Sequence, residues 1–439
     1  KVSHANALGT TGSNTVVNTT GTLQIMGDGI TLAEPISISG TGFNSAGAIR
    51  NTSGINYYAG AITVPLAASI VSVGSSITGD SLVITSGGIN LTNTLTINAT
   101  MGVRIGIGNA TGKITGAGGI IKTGTDTLVL NGTNDYTGTT SINTGVISVE
   151  NATALGAGGN AAYNTVVSSG AALYIVGSGF TIPEHITLNG TGISSNGAIW
   201  LPSTSGATTF TGIITSATAS RINNEGASLL TLSTGGIVNT GGLTFGIKGT
   251  GDISVTGIIS GTSLSLSSIT KDGSGTGKLI LGASNTYLGA TTINTGVIQA
   301  TSSEALGNGT GSLGTTITSG AAFELNGAAA MTISDSIKIN GTGLAATPGA
   351  IRQINNTYAA TLSGVIIASS AARISNDGAS LLTFQTAAFT NTGGITFGIN
   401  STGGITVSSV ISGAGTVTKD GVGSGSLIFS GAKIGRAHV

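Results

Sequence analysis

The sequence has very few charged residues and no cysteine. Lys, Arg, Asp and Glu together make up 7% of the chain, against roughly 25% in an average soluble domain. The 15 basic and 15 acidic residues balance each other, so no long-range field favours nucleic acid or an anionic membrane as a partner. Without cysteine the chain can form neither disulfides nor thiolate metal sites, which is compatible with either redox compartment.

Long apolar runs and a targeting segment are also missing. No apolar stretch approaches the roughly 18 residues of a transmembrane helix, so the segment is not predicted to span a membrane. The chain begins at Lys1 without the charged-then-apolar pattern of a signal peptide. Export can therefore be inferred only from a resemblance to exported proteins.

Glycine and aliphatic residues dominate the composition. The chain has 75 glycines, and 39% of its residues are hydrophobic, which gives a mean hydropathy of +0.39. This is enough apolar surface to offset the conformational entropy that an ordered chain loses. The chain is therefore predicted to fold, despite its low-complexity composition.

Self-similarity shows three copies of one unit of about 150 residues. The same tripeptide occurs as Ala7-Leu8-Gly9, Ala154-Leu155-Gly156 and Ala305-Leu306-Gly307. Longer landmarks keep this spacing, among them residues 36–42, 186–192 and 337–343. The predicted superrepeats span about residues 1–153, 154–304 and 305–432.

The local pattern within each superrepeat has period two, as in Ile186-Thr187-Leu188. Alternating apolar and small polar residues predict short strands with one buried face, and no apolar stripe of helical period is present. Separate β-domains of this size are usually joined by linkers, and the composition shows none. We therefore predict an all-β fold, a single continuous β-solenoid over residues 1–432 with about six or seven coils per superrepeat.

Two segments carry a motif shared with a known family. Residues 128–147 and 279–298 resemble the autotransporter-associated β-strand repeat, also called the passenger-associated transport repeat, with the core L-x-L-x-G-x-N-x-Y-x-G. The second copy departs from this core at Ala283, where glycine is expected, and a third copy begins at Leu427 and then stops matching. The motif positions, expected to be structural, are Leu128, Leu130, Gly132, Asn134, Tyr136, Gly138, Ile142, Gly145, Leu279, Leu281, Asn285, Tyr287, Gly289, Ile293 and Gly296.

The resemblance implies a right-handed parallel β-helix from the passenger region of a bacterial autotransporter, a surface or secreted protein. It also implies export through an outer-membrane translocator barrel that follows in sequence, with no catalytic residue, metal or cofactor in the repeat. The expected role is structural, supporting adhesion or surface display, and the expected partner is a host or cell-surface glycan or protein. Both ends look cut, and residues 433–439 resemble a translated sequencing adapter, so they are left out of the fold prediction.

Several short motifs suggest chemistry but have a simpler structural interpretation. Residues 79–82 spell the GDSL signature of serine esterases, but no Asp-x-x-His follows. Residues 272–279 resemble a phosphate loop but lack its first glycine and its final Ser or Thr. Turns explain both segments better. His4, His185 and His438 are isolated, without the clustered partners of a metal site.

A few charged and aromatic residues stand out on the predicted surface. Arg221 with Glu225, and Arg373 with Asp377, keep opposite charges four residues apart, which predicts surface pairs of little energetic weight. Trp200, the single tryptophan, replaces an arginine of the other superrepeats. It is a candidate platform for sugar stacking, with simple packing as the alternative.

Two further functions are kept as alternatives. A polysaccharide-degrading β-helix needs carboxylates that converge on a groove, whereas the acids here are scattered and rarely recur between superrepeats. An ice-binding solenoid needs a flat threonine array, whereas the Thr-x-Thr form of residues 94–96 and 316–318 does not recur coil after coil. A non-catalytic structural segment is therefore the preferred interpretation, with a polysaccharide-binding or polysaccharide-degrading β-helix as the alternative.

Overall fold

The protein is described here by a computed structural model that covers residues 1–9, 11–72, 80–106, 112–308, 314–386 and 388–431. Gly79, Ala432, His438 and the whole segment 433–439 lie outside the described residues. The chain divides into two compact units, Lys1–Ile214 and Thr215–Val439. Within the described ranges, the helical segments are three short 3-10 turns, Phe43–Ser45, Ala161–Tyr163 and Ile193–Ser195. None of them has the length or apolarity to cross a bilayer.

Short strands account for the regular structure of the first unit. They are β1 (Thr15–Val17), β2 (Leu23–Ile25), β3 (Thr31–Leu32), β4 (Ile36–Ile38), β5 (Ile49–Asn51), β6 (Ile55–Tyr58), β7 (Ile62–Val64), β8 (Ala68–Ser72), β9 (Ser81–Ile84), β10 (Ile89–Leu91), β11 (Leu95–Ala99), β12 (Val103–Ile105), β13 (Ile114–Thr115), β14 (Ile120–Thr123), β15 (Thr127–Leu130), β16 (Thr140–Ile142), β17 (Gly145–Val149), β18 (Thr165–Val167), β19 (Ala171–Ile175), β20 (Phe180–Ile182), β21 (Ile186–Leu188), β22 (Ile199–Leu201) and β23 (Thr208–Phe210). Strand β24 (Ile214–Ser216) begins at the last residue of this unit.

The second unit has the same character. Its strands are β25 (Ser220–Asn224), β26 (Leu230–Leu232), β27 (Ile237–Asn239), β28 (Leu243–Ile247), β29 (Ile253–Val255), β30 (Ile259–Ser260), β31 (Ile269–Asp272), β32 (Lys278–Leu281), β33 (Thr291–Ile293), β34 (Gly296–Ala300), β35 (Thr315–Ile317), β36 (Ala321–Leu325), β37 (Met331–Ile333), β38 (Ile337–Gly341), β39 (Ile351–Gln353), β40 (Ala360–Leu362), β41 (Ile366–Asn376), β42 (Leu382–Phe384), β43 (Phe389–Asn391), β44 (Ile395–Ile399), β45 (Ile405–Val407), β46 (Ile411–Ser412), β47 (Val417–Asp420) and β48 (Leu427–Phe429).

Most strands of the first unit stack in three parallel columns, of which the first ends at β13 while the other two continue. One column runs β1, β4, β7, β10 and β13. The second runs from β2 through β5, β8, β11, β14, β16 and β18 to β21. The third runs from β3 through β6, β9, β12, β15, β17 and β19 to β22. This arrangement is a parallel β-solenoid.

The core is a stack of aliphatic side chains that point inward from every coil. Strand β11 shows the alternation, because Leu95 and Ile97 are fully buried whereas Thr96 between them is partly exposed. Each such Leu or Ile contributes about 1.5 to 3 kcal/mol on burial. The predicted all-β fold of stacked parallel coils is confirmed. Its right-handed sense, which nearly all parallel crossovers share, stays a prediction.

The superrepeat seen in the second unit is not a whole number of coils. From β25, six successive parallel pairings lead through β28, β31, β33, β35 and β38 to the first residues of β41. Arg373, the counterpart of Arg221, lies further along β41, where the strand has turned onto the neighbouring column above β39. One superrepeat therefore contains six coils and one further side, so its equivalent positions move to the next column.

Candidate functional site

The predicted motif positions lie inside the two units and are not displayed on their surfaces. The four leucines, the two isoleucines, the two asparagines and the two tyrosines of the motif are all buried. Among the motif glycines, Gly145 and Gly296 have φ of 74° and 70°, a left-handed conformation that favours glycine. The motif is therefore placed to organise the stack of coils.

Asn134 fastens its own coil to the coils on either side. Its Oδ1 accepts a hydrogen bond from the backbone N–H of Ile114 at 2.9 Å, and its Nδ2 donates to the carbonyl oxygen of Ala154 at 2.6 Å. One side chain thus pairs two buried backbone groups, which would otherwise be costly to leave unpaired. We call this arrangement the asparagine clamp.

The second unit repeats the asparagine clamp at the second motif copy. Asn285 accepts from the N–H of Ile259 at 2.8 Å and donates to the carbonyl of Ala305 at 2.7 Å. The acceptors Ala154 and Ala305 begin the recurring Ala-Leu-Gly tripeptide. Two of the three copies of the tripeptide therefore supply the acceptor on the far side of a clamp.

A row of buried hydroxyl groups continues from the motif tyrosine into the following coils. Tyr136 Oη lies 2.5 Å from Thr140 Oγ1. Thr140 is in register with Thr165 of the next coil, and Thr165 Oγ1 donates to Glu184 Oε1 at 2.8 Å. We call these four residues the first hydroxyl ladder. They place an acid at the end of a polar path through the core.

A second hydroxyl ladder in the other unit has the same order of groups. Tyr287 Oη lies 2.7 Å from Thr291 Oγ1, Thr291 is in register with Thr315, and Thr315 donates to Asp335 Oδ2 at 2.5 Å. Burial raises the pKa of Tyr136 and of Tyr287 above the ordinary range for tyrosine. Both phenols therefore stay neutral in ordinary buffers.

The acid of the ladder recurs at the same place in all three superrepeats. Glu34, Glu184 and Asp335 are only 5%, 3% and 3% exposed. The interpretation that acids rarely recur between superrepeats was therefore wrong for this position, where Glu and Asp substitute for each other. Burial raises the pKa of Glu184 to about 7, although the hydrogen bond from Thr165 opposes the shift. The sequence signal was an acid two residues before a strand Ile, at the same position each time.

Two buried lysines were also missed. Lys122 Nζ donates to the carbonyl oxygens of Thr123, Gly124 and Thr144 at 2.8, 2.7 and 3.1 Å. Lys271 makes two of the three corresponding bonds in the second unit, to the carbonyl oxygens of Asp272 and Thr295. Burial lowers the pKa of each lysine to about 8, with nearby acids opposing the shift. A lysine near the start of each motif copy is the signal that could have identified them.

The charged pairs on the surface run between coils and not within one loop. Arg221 forms two hydrogen bonds to Asp272, at 2.8 and 2.7 Å, and Glu225 pairs with Lys248 at 3.0 Å. The predicted pairing of Arg221 with Glu225 was therefore wrong. The predicted pair of Arg373 with Asp377 was wrong in the same way, because Arg373 pairs with Asp420 and Asp377 with Arg352. Sequence distance misled here, since residues one or two coils apart lie closer than residues along one turn.

One cross-strand position holds an ion pair in the third superrepeat and an aromatic pair in the second. Glu324 and Arg352 face each other across adjacent coils and are hydrogen-bonded. Glu324 is also held by Lys278 at 2.7 Å. At the equivalent position of the preceding superrepeat, Tyr174 and Trp200 pack edge to face, with ring centroids 4.4 Å apart. Trp200 thus packs against a neighbouring ring.

The ion pair of Glu324 and Arg352 can be replaced by the aromatic pair as an experiment. We expect Glu324→Tyr alone and Arg352→Trp alone each to cost about 1.5 to 3 kcal/mol of unfolding free energy, because each removes the charge-assisted hydrogen bond between the two side chains. The double variant should recover about 1 to 2 kcal/mol of the summed loss through aromatic contact. Urea unfolding followed by circular dichroism measures this coupling. Strictly additive losses would show that the two introduced rings do not interact, and that this position does not accept the aromatic pair of the preceding superrepeat.

The remaining short motifs serve the scaffold. Asp80 Oδ1 accepts from the N–H of Gly54 at 2.8 Å, and Ser81 Oγ donates to the carbonyl of Gly102 at 3.0 Å. Asp272 ends strand β31, and Lys278 opens strand β32 where a phosphate loop would need a helix. In the described part of the chain, no three His, Cys, Asp or Glu residues cluster in a way that could hold a metal ion.

Threonines line two outward columns of the second unit. One column has Thr244, Thr270, Thr292 and Thr316 on four successive coils, and another has Thr332, Thr361, Thr383 and Thr406. The Thr-x-Thr pair of residues 316–318 does not recur with them, because Asn294 and Asp272 take the second position on the two preceding coils. The hydroxyl rows are therefore one threonine wide.

The two motif segments match the profile of a known family. The profile of the passenger-associated-transport-repeat family matches residues 120–149 and 269–300, which contain the two clamp asparagines and the ladder tyrosines. The chain is similar to the adhesin BmaC autotransporter of Brucella suis biovar 1 (strain 1330), with 30% identity over 357 residues that cover 64% of this chain and 10% of that protein. The chain thus spans about a tenth of the length of this relative. No solved structure matches the chain.

Proposed function

We propose that this chain, an autotransporter passenger repeat protein, is a non-catalytic stalk segment that supports adhesion or surface display. In this proposal it lies outside the cell, is exported through an outer-membrane translocator barrel, and forms one continuous solenoid of three superrepeats. A host or cell-surface glycan or protein is the partner that the whole assembly would contact. The name of the relative, an adhesin, supports this role.

The proposal is supported by the burial of the polar motif residues between the coils. Asn134 and Tyr136 are buried, and their polar atoms bond to the neighbouring coils or to Thr140. A motif that bound a ligand would instead present such groups to solvent. The motif therefore holds coils together, and the property that repetition of such coils provides is length.

Removing one superrepeat tests this role. Deleting residues 221–372 joins Ser220 to Arg373, the equivalent of Arg221, and keeps the repeat in register. In a cell-surface display system, with the chain fused to a translocator barrel and an epitope tag at its N-terminus, the tag should remain accessible on intact cells. It should move closer to the membrane by about 30 Å, given about 4.8 Å per coil. Super-resolution imaging of tag height measures the change.

Duplication of residues 221–372 is the matched control. It should move the tag outward by the same distance, and attachment of the displaying cells should change gradually with length. If the deletion abolished attachment while the duplication left it unchanged, a specific binding or catalytic site would lie in the deleted residues. The polysaccharide-binding alternative would then be favoured over the stalk.

A further inference from the structure

Each superrepeat carries one exposed loop at the same place in its sequence. The loops are residues 40–47, 190–197 and 341–349, which we call the Gly-Thr-Gly loops. All three begin with Gly-Thr-Gly and end with a glycine that precedes Ala-Ile, whereas the residues between differ, as Phe-Asn-Ser-Ala, Ile-Ser-Ser-Asn and Leu-Ala-Ala-Thr-Pro. A constant frame with a variable tip is how rigid scaffolds present binding residues.

The constant residues close the base of each loop. The N–H of the final glycine donates to the carbonyl oxygen of the frame threonine, at 2.7 Å in the first loop, 2.9 Å in the second and 2.6 Å in the third. A Cβ on Gly42 would lie 2.1 Å from the carbonyl oxygen of Gly47, and one on Gly192 would lie 2.0 Å from that of Gly197. Only glycine permits such a close approach, so the frame fixes the shape of the loop.

The tips of the first two loops have a backbone conformation that is unfavourable for residues with a Cβ. Asn44 and Ser45 have φ of 49° and 56°, and Ser194 and Ser195 have φ of 50° and 60°. Within the described ranges, these four are the only residues other than glycine with positive φ. Such residues are uncommon and cluster at functional positions. The third loop contains Pro348 instead, whose ring fixes φ.

The first tip residue is apolar in every loop, and no loop carries a charge. Phe43 is 66% exposed, and Ile193 and Leu344 are partly exposed. Uncharged loops have nothing to attract an acidic or basic surface, and they lack the lysine and arginine that hold interfacial segments on a bilayer. Ile193 and Leu344 also lack the ring that stacks on a sugar. An apolar pocket on a protein fits these tips best, because the cores of protein interfaces are apolar.

We propose that the Gly-Thr-Gly loops are contact sites for a protein partner, and that Phe43, Ile193 and Leu344 each insert into an apolar pocket of that partner. This inference rests on the proposed function, because it names the chemical class of partner for the adhesive role. One contact of this size is weak, but several loops on one chain bind tightly to a surface that carries many copies of the partner.

The test measures attachment of cells that display the chain, in the translocator-barrel system, to monolayers of cultured epithelial cells. The loop variant combines Phe43→Ser, Ile193→Ser and Leu344→Ser. It should attach about ten-fold less than the parent chain, because it loses every apolar tip and with it the avidity. Proteinase treatment of the monolayer should abolish attachment of the parent, whereas removal of surface glycans by glycosidases should leave it unchanged.

A control variant changes the same number of exposed apolar residues outside the loops. It combines Leu66→Ser, Leu229→Ser and Leu381→Ser, at side chains that are 56%, 43% and 42% exposed. Its attachment should stay within about two-fold of the parent, because scattered surface leucines have no binding role. Tag accessibility and circular dichroism check the fold of both variants.

Two further variants keep the inference testable if the loop variant does not reach the surface. Phe43→Ser alone, in the most exposed tip, should already reduce attachment. Phe43→Leu with Ile193→Leu keeps an apolar tip in each loop and should attach like the parent.

The outcomes separate this inference from the stalk. If tag height follows length but the loop variant attaches like the parent, the loops are not contact sites and the stalk stands. If the loop variant loses attachment but tag height does not follow length, the stalk fails and the contact sites stand. Attachment that glycosidases abolish, binding of the parent to phosphatidylcholine vesicles that the loop variant loses, or a parent that attaches to no monolayer would each overturn the inference.

Discussion

Replacing Asn134 by alanine should lower the unfolding free energy of the first unit by about 2 to 5 kcal/mol. The substitution removes both bonds of the asparagine clamp and leaves the N–H of Ile114 and the carbonyl of Ala154 buried without their partner. Each orphaned group costs about 1 to 3 kcal/mol. Urea unfolding followed by Trp200 fluorescence measures the loss, and Asn285→Ala should reproduce it in the second unit.

Asp135→Ala is the matched control for this substitution. Asp135 follows Asn134 at a variable position of the motif, and its ion pair with Lys113 joins side chains that are 52% and 44% exposed. An exposed pair of this kind is worth at most about 1 kcal/mol. If Asn134→Ala were no more costly than Asp135→Ala, the clamp would not be holding the coils together.

Gly138→Ala should also be strongly destabilising, by about 3 kcal/mol or more. An added Cβ would lie 2.3 Å from the carbonyl carbon and 2.4 Å from the carbonyl oxygen of Gly118 in the preceding coil. These are backbone atoms, so the clash can be relieved only by separating the two coils. Urea unfolding and amide hydrogen exchange of residues 112–140 should both report the loss.

Gly12→Ala provides the comparison for the glycine substitution. A Cβ at Gly12 would meet no heavy atom within 4 Å, so the change should alter stability by less than about 0.5 kcal/mol. Equal effects at Gly12 and Gly138 would show that lost backbone freedom, and not close packing of coils, explains why glycine stands at the motif position.

The fold could be predicted from the sequence because the period-two alternation and the repetition are both visible in it. Segments such as Ile186-Thr187-Leu188 became strands whose inward residues are buried and whose middle residue is partly exposed. The motif residues Asn134 and Tyr136 are buried and hydrogen-bonded, and their structural role stays a prediction. Their buried positions follow from the need of each coil to cover the next.

The polar contacts of the interior were harder to predict from the sequence, because they form between residues of different coils. Nothing local joins Thr165 to Glu184, or Arg221 to Asp272, which lie 19 and 51 residues apart. A pairing rule based on four-residue spacing suits a helix surface and fails on a solenoid. The recurrence of Glu34, Glu184 and Asp335 was available in the sequence, but Glu-to-Asp exchange and low acid content concealed it.

The fractional coil count of the superrepeat determines the side of the solenoid on which equivalent residues lie. In the second unit, Arg221 and Arg373 occupy equivalent sequence positions on adjacent columns. Each further superrepeat with the same step would place its equivalent surface residues one column further, about a third of a turn around the solenoid axis. A surface patch that occurs once per superrepeat would then face each of the three sides of the solenoid in turn. A binding partner could therefore contact one copy of the patch from any side.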